Sequence, residues 1–435
     1  MLQEFQKHIE FTFPFLKDKK LLVACSGGLD SVVLTHLCFH SNLDVTLAHC
    51  NFQLRGNESD GDAAFVARLA QELKVPHLST VFDTKKVLSQ NGGSVQMVAR
   101  QLRYKWFETI LEEYQLDYVL TAHHADDALE TFVINLSRGT GIDGLAGIPE
   151  SNRHTLRPLL PFSRKGILDY ATTNELTWRE DSSNRDSKYL RNKIRKEIVP
   201  ELKELHPTFL QNFQMTQQIL IQSKQVLEKV YEEAKQKFFK EEGSVIKIKI
   251  SDLKSLKPLE AYLFSLFKGY GFTEVGDLKS LLDSMSGKEL HSKSYRLLKD
   301  RDFLLLQPRE EKTKEVYVVS EEDKHIEHPI GLFLETVTQF EKGKENIVFL
   351  DKEKLNYPLT LRKWKKGDYF YPLGMKGKKK LSKFFKDEKM DVFSKENQWL
   401  LCSGEEIAWI IGKRADERFK IDGSTSQILK ITYSL

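Results

Sequence analysis

The N-terminal half of the chain alternates between short apolar runs and longer stretches in which apolar residues recur about every 3.6 positions. The runs LLVAC, DVTLAHC and PHLSTVF have the length of β-strands, and helical patterns such as ESDGDAAFVARLAQEL separate them. Strand-length runs that alternate with helical segments are typical of βαβ units. The pattern from Lys20 to about Gln115 therefore predicts an α/β fold with a doubly wound parallel sheet.

The pattern continues beyond this region with one more strand and then changes. The run YVLTAHH at residues 118–124 predicts a strand, and DALETFVINLS predicts the helix that follows it. After Arg138 the chain is richer in glycine and proline, which favours loops and short helices. From Phe209 to about Phe239 the pattern is helical and polar on most faces, so we expect a connecting helical arm.

The C-terminal half predicts two further modules. Residues 244–308 suggest a small α/β module that ends in a hairpin, YRLLKDRDFLLLQP, with its turn at 299–302. The later runs VYVVS, GLFLETV, NIVFL and LTLRKW predict the short strands of a mixed, β-rich C-terminal domain. We therefore divide the chain into an N-terminal domain at 1–205, the arm with a central module at 206–312, and a C-terminal domain at 313–435.

Composition places the chain among multidomain globular proteins. It has 435 residues, of which 40% are hydrophobic and 29% charged. Because no apolar stretch approaches the roughly 18 residues of a membrane helix, and the N-terminus lacks a signal pattern, we expect a cytoplasmic protein. The four cysteines have neither C-x-x-C nor disulfide-framework spacing, so we expect reduced, buried thiols.

The stretch VACSGGLDSVVL, residues 23–34, places a glycine turn between a strand and a helix that we expect to begin near Asp30 or Ser31. Gly27 and Gly28 can adopt backbone angles that other residues avoid, so that N–H groups converge on an anion at the helix N-terminus. The stretch therefore predicts a phosphate-binding loop, although it is not a Walker A motif. The alternative is a tight turn in which Ser or Asp merely caps the helix.

The motif S-G-G-x-D-S after a first strand resembles the PP-loop ATP pyrophosphatases, which transfer AMP to a substrate and release pyrophosphate. The resemblance implies ATP as the cofactor and Asp30 as a Mg²⁺ ligand. It assigns ATP binding to the residues of the loop: Ser26, Gly27, Gly28, Leu29, Asp30 and Ser31.

Three other stretches belong to the same predicted site. They are AHCNFQLRGNESDGD at 48–62, TAHHADDALET at 121–131 and WREDSSNRDSKYLRNKIR at 178–195. The carboxyl ends of parallel strands face one crevice, so polar residues after the second and fourth strands are expected to ring the cleft of the glycine loop. These residues are His49, Asn51, Arg55, His123, Asp126 and Asp127.

Together with RGTGIDGLAGI at 138–148 and RPLL at 157–160, these stretches resemble the tRNA(Ile)-lysidine synthetase family over nearly the whole chain. Such ligases use ATP to adenylate the C2 oxygen of the wobble cytidine in isoleucine tRNA with a CAU anticodon. The ε-amine of free L-lysine then displaces AMP and gives lysidine. The resemblance thus implies ATP, Mg²⁺, lysine and this tRNA as partners; it leaves a homo-oligomer open.

Within this resemblance, two carboxylates and two arginines are candidate catalytic residues. Asp127 and Glu130 lie three apart on the predicted helix and are expected to hold the lysine ammonium or accept a proton. Arg191 and Arg195 are expected to counter charge on the α-phosphate. The alternatives are helix capping by Asp126 and Asp127, with Glu130 as a partner, and a solvated helix face for the arginines.

Basic and polar residues are the candidate tRNA contacts. Between Arg362 and Lys386 the chain has ten Lys or Arg residues against one acid. Basic side chains give salt-dependent affinity for phosphate, whereas we expect the aromatic residues among them to pack in a core; simple surface charge is the alternative for the cations. The full set of candidates is His49, Asn51, Arg55, Arg100, Arg103, Arg138, Asn184, Asn192, Lys376, Lys378, Lys379 and Lys380.

Two competing functions remain at this stage. A tRNA base thiolase of the same superfamily would need a pair of reactive cysteines or a cluster-binding C-x-x-C, which the sequence lacks. A non-catalytic RNA-binding protein that senses ATP is the second alternative.

Adjacent His123 and His124 would point to opposite faces of a strand, which argues against a zinc pair. One departure from the family pattern is Phe52, where many relatives have His.

Overall fold

The computed structural model describes residues 1–180, 190–309, 316–339, 346–375 and 377–434. The chain divides into two compact units, Met1–Lys229 and Val230–Leu435. Within the described residues, no helix combines the length and the apolar character needed to cross a membrane.

The first unit contains six strands and eleven helices, counted over the described residues, and the last of these helices continues past Lys229 into the second unit. The strands are β1 Lys20–Ala24, β2 Asp44–Asn51, β3 His77–Val81, β4 Tyr118–Leu120, β5 Ser151–Asn152 and β6 Thr155–Leu156. The helices are α1 Leu2–Thr12, α2 Leu29–His40, α3 Asn57–Leu73, α4 Thr84–Asn91, α5 Val95–Glu113, α6 Ala125–Ser137, α7 Ile142–Leu145, α8 Arg164–Thr173, α9 Leu190–Lys193, α10 Val199–Glu204 and α11 Phe209–Phe238. A 3₁₀ turn covers Pro14–Asp18, and a π-helical turn, Ile194–Ile198, connects α9 to α10.

These strands form one sheet in the order β3-β2-β1-β4-β6-β5. All pairs are parallel except β5 with β6, which form an antiparallel hairpin at the edge. The strand order reverses between β1 and β4, and this reversal opens a crevice at the carboxyl ends of the strands. The predicted doubly wound parallel sheet is therefore confirmed.

Burial on both faces explains why the first strand reads as an unbroken apolar run. Leu21, Leu22 and Val23 are fully buried. Leu21 and Val23 pack into a core with α2, whereas Leu22 packs with Phe107 and other residues of α5 on the opposite face. A parallel sheet covered by helices on both faces favours such continuous runs, and each buried leucine contributes about 1.5–3 kcal/mol.

Two predicted boundaries around the crevice need correction. The strand predicted at 118–124 ends at Leu120, and the chain then turns so that His124 becomes the N-cap of α6. The argument that adjacent histidines lie on a strand therefore does not apply. Helix α2 begins at Leu29, one or two residues earlier than predicted, because Gly28 already takes the extended backbone of an N-cap.

The second unit consists mainly of antiparallel strands. The described strands are β7 Phe239–Glu242, β8 Val245–Lys249, β9 Glu289–His291, β10 Tyr295–Asp300, β11 Phe303–Pro308, β12 Val316–Val319, β13 His325–Ile326, β14 Gly331–Val337, β15 Ile347–Asp351, β16 Leu359–Lys363, β17 Tyr369–Phe370, β18 Lys379–Lys380, β19 Trp399–Ser403, β20 Glu406–Ile410, β21 Arg414–Ala415 and β22 Ile428–Ser434. The helices are α12 Ile250–Ser255, α13 Leu259–Phe267, α14 Val275–Asp283, α15 Leu381–Asp387 and α16 Val392–Glu396, with 3₁₀ turns at Lys268–Tyr270, Lys352–Lys354 and Glu417–Phe419.

Strands β7 to β11 form a five-stranded sheet in the order β7-β8-β11-β10-β9, and its core includes residues of α12, α13 and α14. The hairpin predicted around 299–302 is present, because β10 pairs with β11 up to Asp300 and Phe303. Nine of the remaining strands form a sheet in the order β12-β16-β19-β20-β21 and another in the order β13-β14-β22-β15, which share one apolar core. The last two strands, β17 and β18, pair with each other in a small separate sheet. The predicted β-rich C-terminal region is confirmed.

Candidate active site

The glycine turn lies between β1 and α2, at the crevice formed by the reversal of strand order. Gly27 has φ +86°, a conformation that L side chains rarely adopt, and a Cβ there would lie 3.3 Å from the Phe65 ring. Glycine is therefore required by both the backbone angle and the space. The backbone of the turn leads directly into the first N–H groups of α2, which carry the positive end of the helix dipole.

Side-chain hydroxyl groups hold this turn in shape. The Ser31 hydroxyl accepts a hydrogen bond from the Ser26 backbone N–H at 3.2 Å and donates to the Gly28 carbonyl at 2.9 Å. The Ser26 and Ser31 hydroxyl groups lie 3.2 Å apart. From outside, the Arg179 N–H donates to the Gly27 carbonyl at 2.9 Å. The loop is thus preorganised, and Leu29 is buried, so that only its backbone is available to a ligand.

Asp30 lies in the first turn of α2 and faces the side chains of Arg164 and His124. Arg164 Nη1 donates to both carboxylate oxygens of Asp30, at 3.0 and 2.8 Å. The buried His124 ring places Nε2 3.7 Å from Asp30 Oδ1 and 3.4 Å from Asp127 Oδ2, without the alignment of a hydrogen bond. His124 Nδ1 accepts the Asp127 backbone N–H, so Nε2 carries the proton in the neutral ring. His124 therefore directs an N–H between two carboxylates.

The two predicted catalytic carboxylates are paired with the two predicted catalytic arginines. Asp127 Oδ1 accepts from Arg191 Nη2 at 3.2 Å and from Arg195 Nη2 at 2.9 Å. Glu130, whose side chain is 1% exposed, accepts from Arg191 Nε at 2.9 Å and from Arg195 Nε at 2.5 Å. Arg195 lies in the π-helical turn, a distortion that is frequent at functional sites.

Of the three carboxylates at the start of α6, one takes part in the helix cap and the other two do not. The N-cap of α6 is His124, and Asp127 at the third position returns a bond to the His124 N–H, which completes a capping box. Asp126 turns away from the cleft and accepts the Arg164 backbone N–H at 2.8 Å, so it holds the start of α8. The proposed capping role of Asp126 is therefore wrong, and Glu130 takes no part in the cap.

The charge of the cluster perturbs the nearby titratable groups. For Asp127, burial alone would raise the pKa, but the attraction of the carboxylate to the His124 N–H and to the Arg191 guanidinium outweighs burial, and the net pKa is lowered. For His123, burial lowers the pKa to about 4, with further lowering by arginines that include Arg157. At neutral pH, Asp127 is consequently ionised and His123 is neutral.

A cavity of about 320 Å³ opens beside the glycine loop, and part of the predicted site lines it. Its walls also contain Cys50, Phe52 and Tyr104, which the sequence did not single out as ligands. The predicted residues that line it are Ser26, Gly28, Asp30, Ser31, Arg100, Arg103, His123, Asp127 and Arg191. Residues from four separate stretches of the sequence are thus brought together.

His49, Asn51 and Arg55 do not line this cavity, contrary to the expectation that they ring it. Side chains alternate along β2, so Cys50 reaches the cavity while His49 and Asn51 point to the other face. His49 Nδ1 lies 2.9 Å from the Cys25 carbonyl, and Asn51 donates to Asp60 at 2.8 Å. Arg55 forms an ion pair with Asp62 at 2.9 Å.

Of the other candidate tRNA contacts, one lies far from the cavity, one lies on α9, and two are not among the residues that the structure describes. Arg138 is exposed at the C-terminal end of α6, about 20 Å along the helix from the site at its N-terminus. Asn192 is half-buried on α9, and Asn184 and Lys376 lie outside the described residues.

The lysines of the second unit differ from one another in their contacts. Lys378 Nζ lies 5.1 Å from the centroid of the half-exposed Tyr369 ring. Lys379 pairs with Asp387 at 2.8 Å, and Lys380 is exposed. As expected, Phe370 and Phe384 are buried in a core against which Trp364 packs. Lys378 and Lys380 are thus less tied to the fold than Lys379.

The cysteines near the cavity are poorly suited to thiolate chemistry. All four cysteines are free, and Cys25 is buried. Burial raises the pKa of Cys25 and raises that of Cys50 to about 12, so both are neutral thiols at physiological pH. Within the described residues, no group of three or more His, Cys, Asp or Glu side chains is placed to hold a metal ion. Neither observation favours a thiolase or a zinc site.

Sequence reasoning missed three arginines near the site. Arg164 binds Asp30, Arg179 donates its backbone N–H to the Gly27 carbonyl while its side chain pairs with Asp62, and Arg157 is buried and lines a neighbouring cavity. Arg157 is the first residue of the motif RPLL, and its place in this motif is the sequence feature that could have marked it as a candidate site residue. Arg164 and Asp30 are 134 residues apart, so no local pattern indicates that they pair.

Three family models match the chain. The PP-loop domain matches residues 1–202, the TilS substrate binding domain 241–309, and the TilS substrate C-terminal domain 359–431. Each matched range falls within one of the three domains predicted at 1–205, 206–312 and 313–435; the boundaries themselves stay a prediction.

Relatives of known name match over the full length. The tRNA(Ile)-lysidine synthase of Parabacteroides distasonis is 38% identical and covers 100% of both chains. That of Bacteroides thetaiotaomicron is 39% identical and covers 97% of each. A solved U34-tRNA thiolase from Methanococcus maripaludis is 18% identical, with a TM-score of 0.44 over 51% of this chain and 80% of that chain, which is too distant to bear on function. The chain therefore belongs to the tRNA(Ile)-lysidine synthase family.

Proposed function

We propose that the protein joins L-lysine to C2 of the wobble cytidine in the CAU anticodon of isoleucine tRNA at the expense of ATP. The cytidine C2 oxygen attacks the α-phosphorus and releases pyrophosphate; the lysine amine then attacks C2, loses a proton and releases AMP. One observation carries this proposal: a preorganised glycine loop adjoins a cluster of two carboxylates and two arginines. Membership of the family supports the same activity.

The glycine loop binds the phosphates of ATP through its backbone. The first N–H groups of α2 point toward the bound anion, and the helix dipole adds positive potential. Because Ser26 and Ser31 already fix the turn, little conformational entropy is lost on binding.

Asp30 fits the requirements of a Mg²⁺ ligand. Mg²⁺ is usually bound by one or two carboxylates together with substrate phosphates, rather than by a complete protein cage. The side chain of Asp30 is 27% exposed at the start of α2, beside the loop, and offers one such carboxylate. Bound Mg²⁺ would neutralise charge on the triphosphate; for Asp30 to contact it, the Arg164 side chain must move away.

Arg191 and Arg195 alternate between two anionic partners in this proposal. Without nucleotide they neutralise Asp127 and Glu130. A phosphate in the cavity competes for the same guanidinium groups, since arginine binds carboxylate and phosphate in the same fork geometry. Nucleotide binding thereby releases Asp127 and Glu130 to receive the lysine ammonium, so ATP precedes lysine.

Asp127 and Glu130 recognise the lysine first and accept its proton second. A carboxylate next to an ammonium raises its pKa, whereas the nucleophile must be the free amine. Exclusion of water by bound tRNA opposes this effect, because burial disfavours charge. Asp127, at the cavity wall and ionised at neutral pH, is better placed than the buried Glu130 to take the proton.

The second unit supplies general affinity for tRNA. Lys378 and Lys380 are exposed beside a half-exposed tyrosine, Tyr369, and such cations release counterions when they contact phosphate. Aromatic rings at the same place can stack on unpaired bases.

The direct experiment supplies labelled lysine, ATP, Mg²⁺ and isoleucine tRNA with a CAU anticodon to the purified protein. We expect label in the RNA and one AMP for each lysine transferred. Methionine tRNA with the same anticodon is the control and should remain unlabelled. Absence of transfer by folded protein, or release of ADP in place of AMP, would contradict the proposal.

A further inference from the structure

A second cavity of about 510 Å³ adjoins the one beside the glycine loop. The two cavities share Arg100, Tyr104 and Phe107, which lie on α5. The second cavity continues to the β5–β6 hairpin at the edge of the sheet, and we call it the edge pocket. None of the glycine-loop residues lines it. The two cavities are therefore neighbours, separated by the same three side chains of α5.

The base of the edge pocket contains a buried cation. Arg157 is 5% exposed, and its Nη1 donates to the Pro149 carbonyl at 2.7 Å. The Tyr104 hydroxyl also interacts with its guanidinium. Among the described residues, Arg157 forms no ion pair with a carboxylate, and its Nε has no hydrogen-bond partner. A buried charge without a counterion is costly, so an anionic ligand is the missing partner that this environment favours.

Two further cations line the mouth of the pocket. Arg100 is exposed on α5 and lies 4.8 Å from the centroid of the Tyr104 ring. Arg153 is exposed in the two-residue turn of the β5–β6 hairpin, at φ +51°. This conformation disfavours a residue with a Cβ, yet the turn carries arginine rather than the usual Asn or Gly. With Glu108 as the anionic side chain of the lining, the charge of the pocket is net positive.

We propose that the edge pocket binds a backbone phosphate of the tRNA anticodon loop, next to the nucleotide whose base enters the active-site cavity. This inference rests on the proposed function and names the RNA-binding groups within it. Arg153 and Arg100 attract the phosphate at the mouth, and the buried guanidinium of Arg157 adds positive potential at the base. The half-buried Tyr104 ring lies at the junction, where a neighbouring base stacks.

Phosphate groups can come from RNA or from ATP, and the position of the pocket favours RNA. The triphosphate site is formed by the backbone at Gly27 and Gly28, in the neighbouring cavity. An edge pocket used by RNA should affect tRNA affinity and its salt dependence but not ATP affinity.

The primary test substitutes Arg153→Asn in the full-length protein. Asparagine tolerates the positive φ, so the hairpin is retained while one cation is removed. Lys74→Asn is the matched control, because Lys74 is also exposed and basic, with φ +53°, but lies at the end of α3 and lines neither cavity. Binding of the isoleucine tRNA anticodon stem-loop is measured across a salt series, and ATP binding is measured separately.

For Arg153→Asn we expect roughly threefold weaker RNA binding at 0.1 M salt and a salt slope smaller by about 0.7, the value for one single-strand phosphate contact. ATP affinity should not change, and Lys74→Asn should match the wild type. The double variant Arg100→Gln/Arg153→Asn should weaken binding further, but its total loss of slope should stay near 0.7, because both cations contact the same phosphate. An unchanged slope in both variants, or weaker ATP binding with unchanged RNA binding, would overturn the proposal.

Arg157→Met separates a binding role from a purely structural one. Removing an unpaired buried charge should leave the melting temperature unchanged or higher, while RNA affinity falls. A lower melting temperature with unchanged RNA affinity would assign Arg157 to the fold and overturn its part in the pocket. Lysine transfer by the wild type separates failure of the edge pocket from failure of the proposed function. If the wild type transfers lysine but the variants keep the wild-type salt slope, only the edge pocket is rejected. If the wild type transfers no lysine, the proposed function is rejected.

Discussion

Replacing Glu130 with glutamine tests whether the paired cluster stabilises the protein as well as serving the reaction. Glu130→Gln keeps the shape of the side chain and removes its charge. Arg191 and Arg195 then lose the partner to which both Nε groups donate. Because a glutamine oxygen accepts more weakly and its NH₂ group opposes a guanidinium, the N-terminal unit should become less stable.

The magnitude follows from the burial of the three side chains. Breaking a fully buried ion pair costs about 3–5 kcal/mol. Here Glu130 is 1% exposed, but the side chains of Arg191 and Arg195 are 42% and 33% exposed, so water solvates part of the uncompensated charge. We therefore expect a loss of about 2–3 kcal/mol, which corresponds to a fall of roughly 5–10 °C in melting temperature for a unit of this size.

Thermal and urea unfolding of the apo protein measure this loss. Glu112→Gln, an exposed position on α5, is the control and should change stability by less than about 0.5 kcal/mol. A second arm adds ATP, which should narrow the difference between wild type and variant if phosphate takes over the arginines. A Glu130→Gln protein that melts within 1 °C of wild type would refute the view that the ion pairs stabilise the N-terminal unit.

Three further perturbations address other parts of the site. Burial lowers the pKa of His123 to about 4, so the free energy of unfolding should fall as pH drops from about 6.5 toward 4, by up to about 1.4 kcal/mol per pH unit. Urea unfolding of His123→Asn should show a smaller fall over the same pH range, and an identical pH profile of the two proteins would contradict this prediction. Asp30→Ala should abolish pyrophosphate release but retain tRNA on filters, and loss of both would count against a metal role. Lys378→Ala should reduce the salt slope of tRNA binding by nearly one unit, whereas Lys379→Ala, already paired with Asp387, should reduce it less; equal effects would reject the distinction.

The local features of the fold were predictable because they depend on short stretches of sequence. The buried run at β1 and the glycine turn at Gly27 follow from hydrophobic pattern and backbone freedom. The orientation of β2 was not predictable, because side chains on both of its faces are buried, polar His49 and Asn51 included, so burial and polarity do not alternate in a way that shows which side chains face the cleft. Cys50 therefore lines the cavity where His49 was expected.

Charge pairing across the fold was the least predictable feature. The residue types of the cluster were recognised, but the sequence suggested separate tasks for carboxylates and arginines. Asp127 and Arg191 are 64 residues apart, and their contact depends on how α9 and the π-helical turn meet α6. The same holds for Arg157, whose missing counterion becomes visible only when its burial and neighbours are known.

The most direct measurement is the mass of the nucleoside at the wobble position after the protein has acted on isoleucine tRNA with ATP and lysine. The account predicts a cytidine heavier by one lysine less one water, with AMP formed in equal amount. An unmodified cytidine, or a thiolated base at that position, would contradict it.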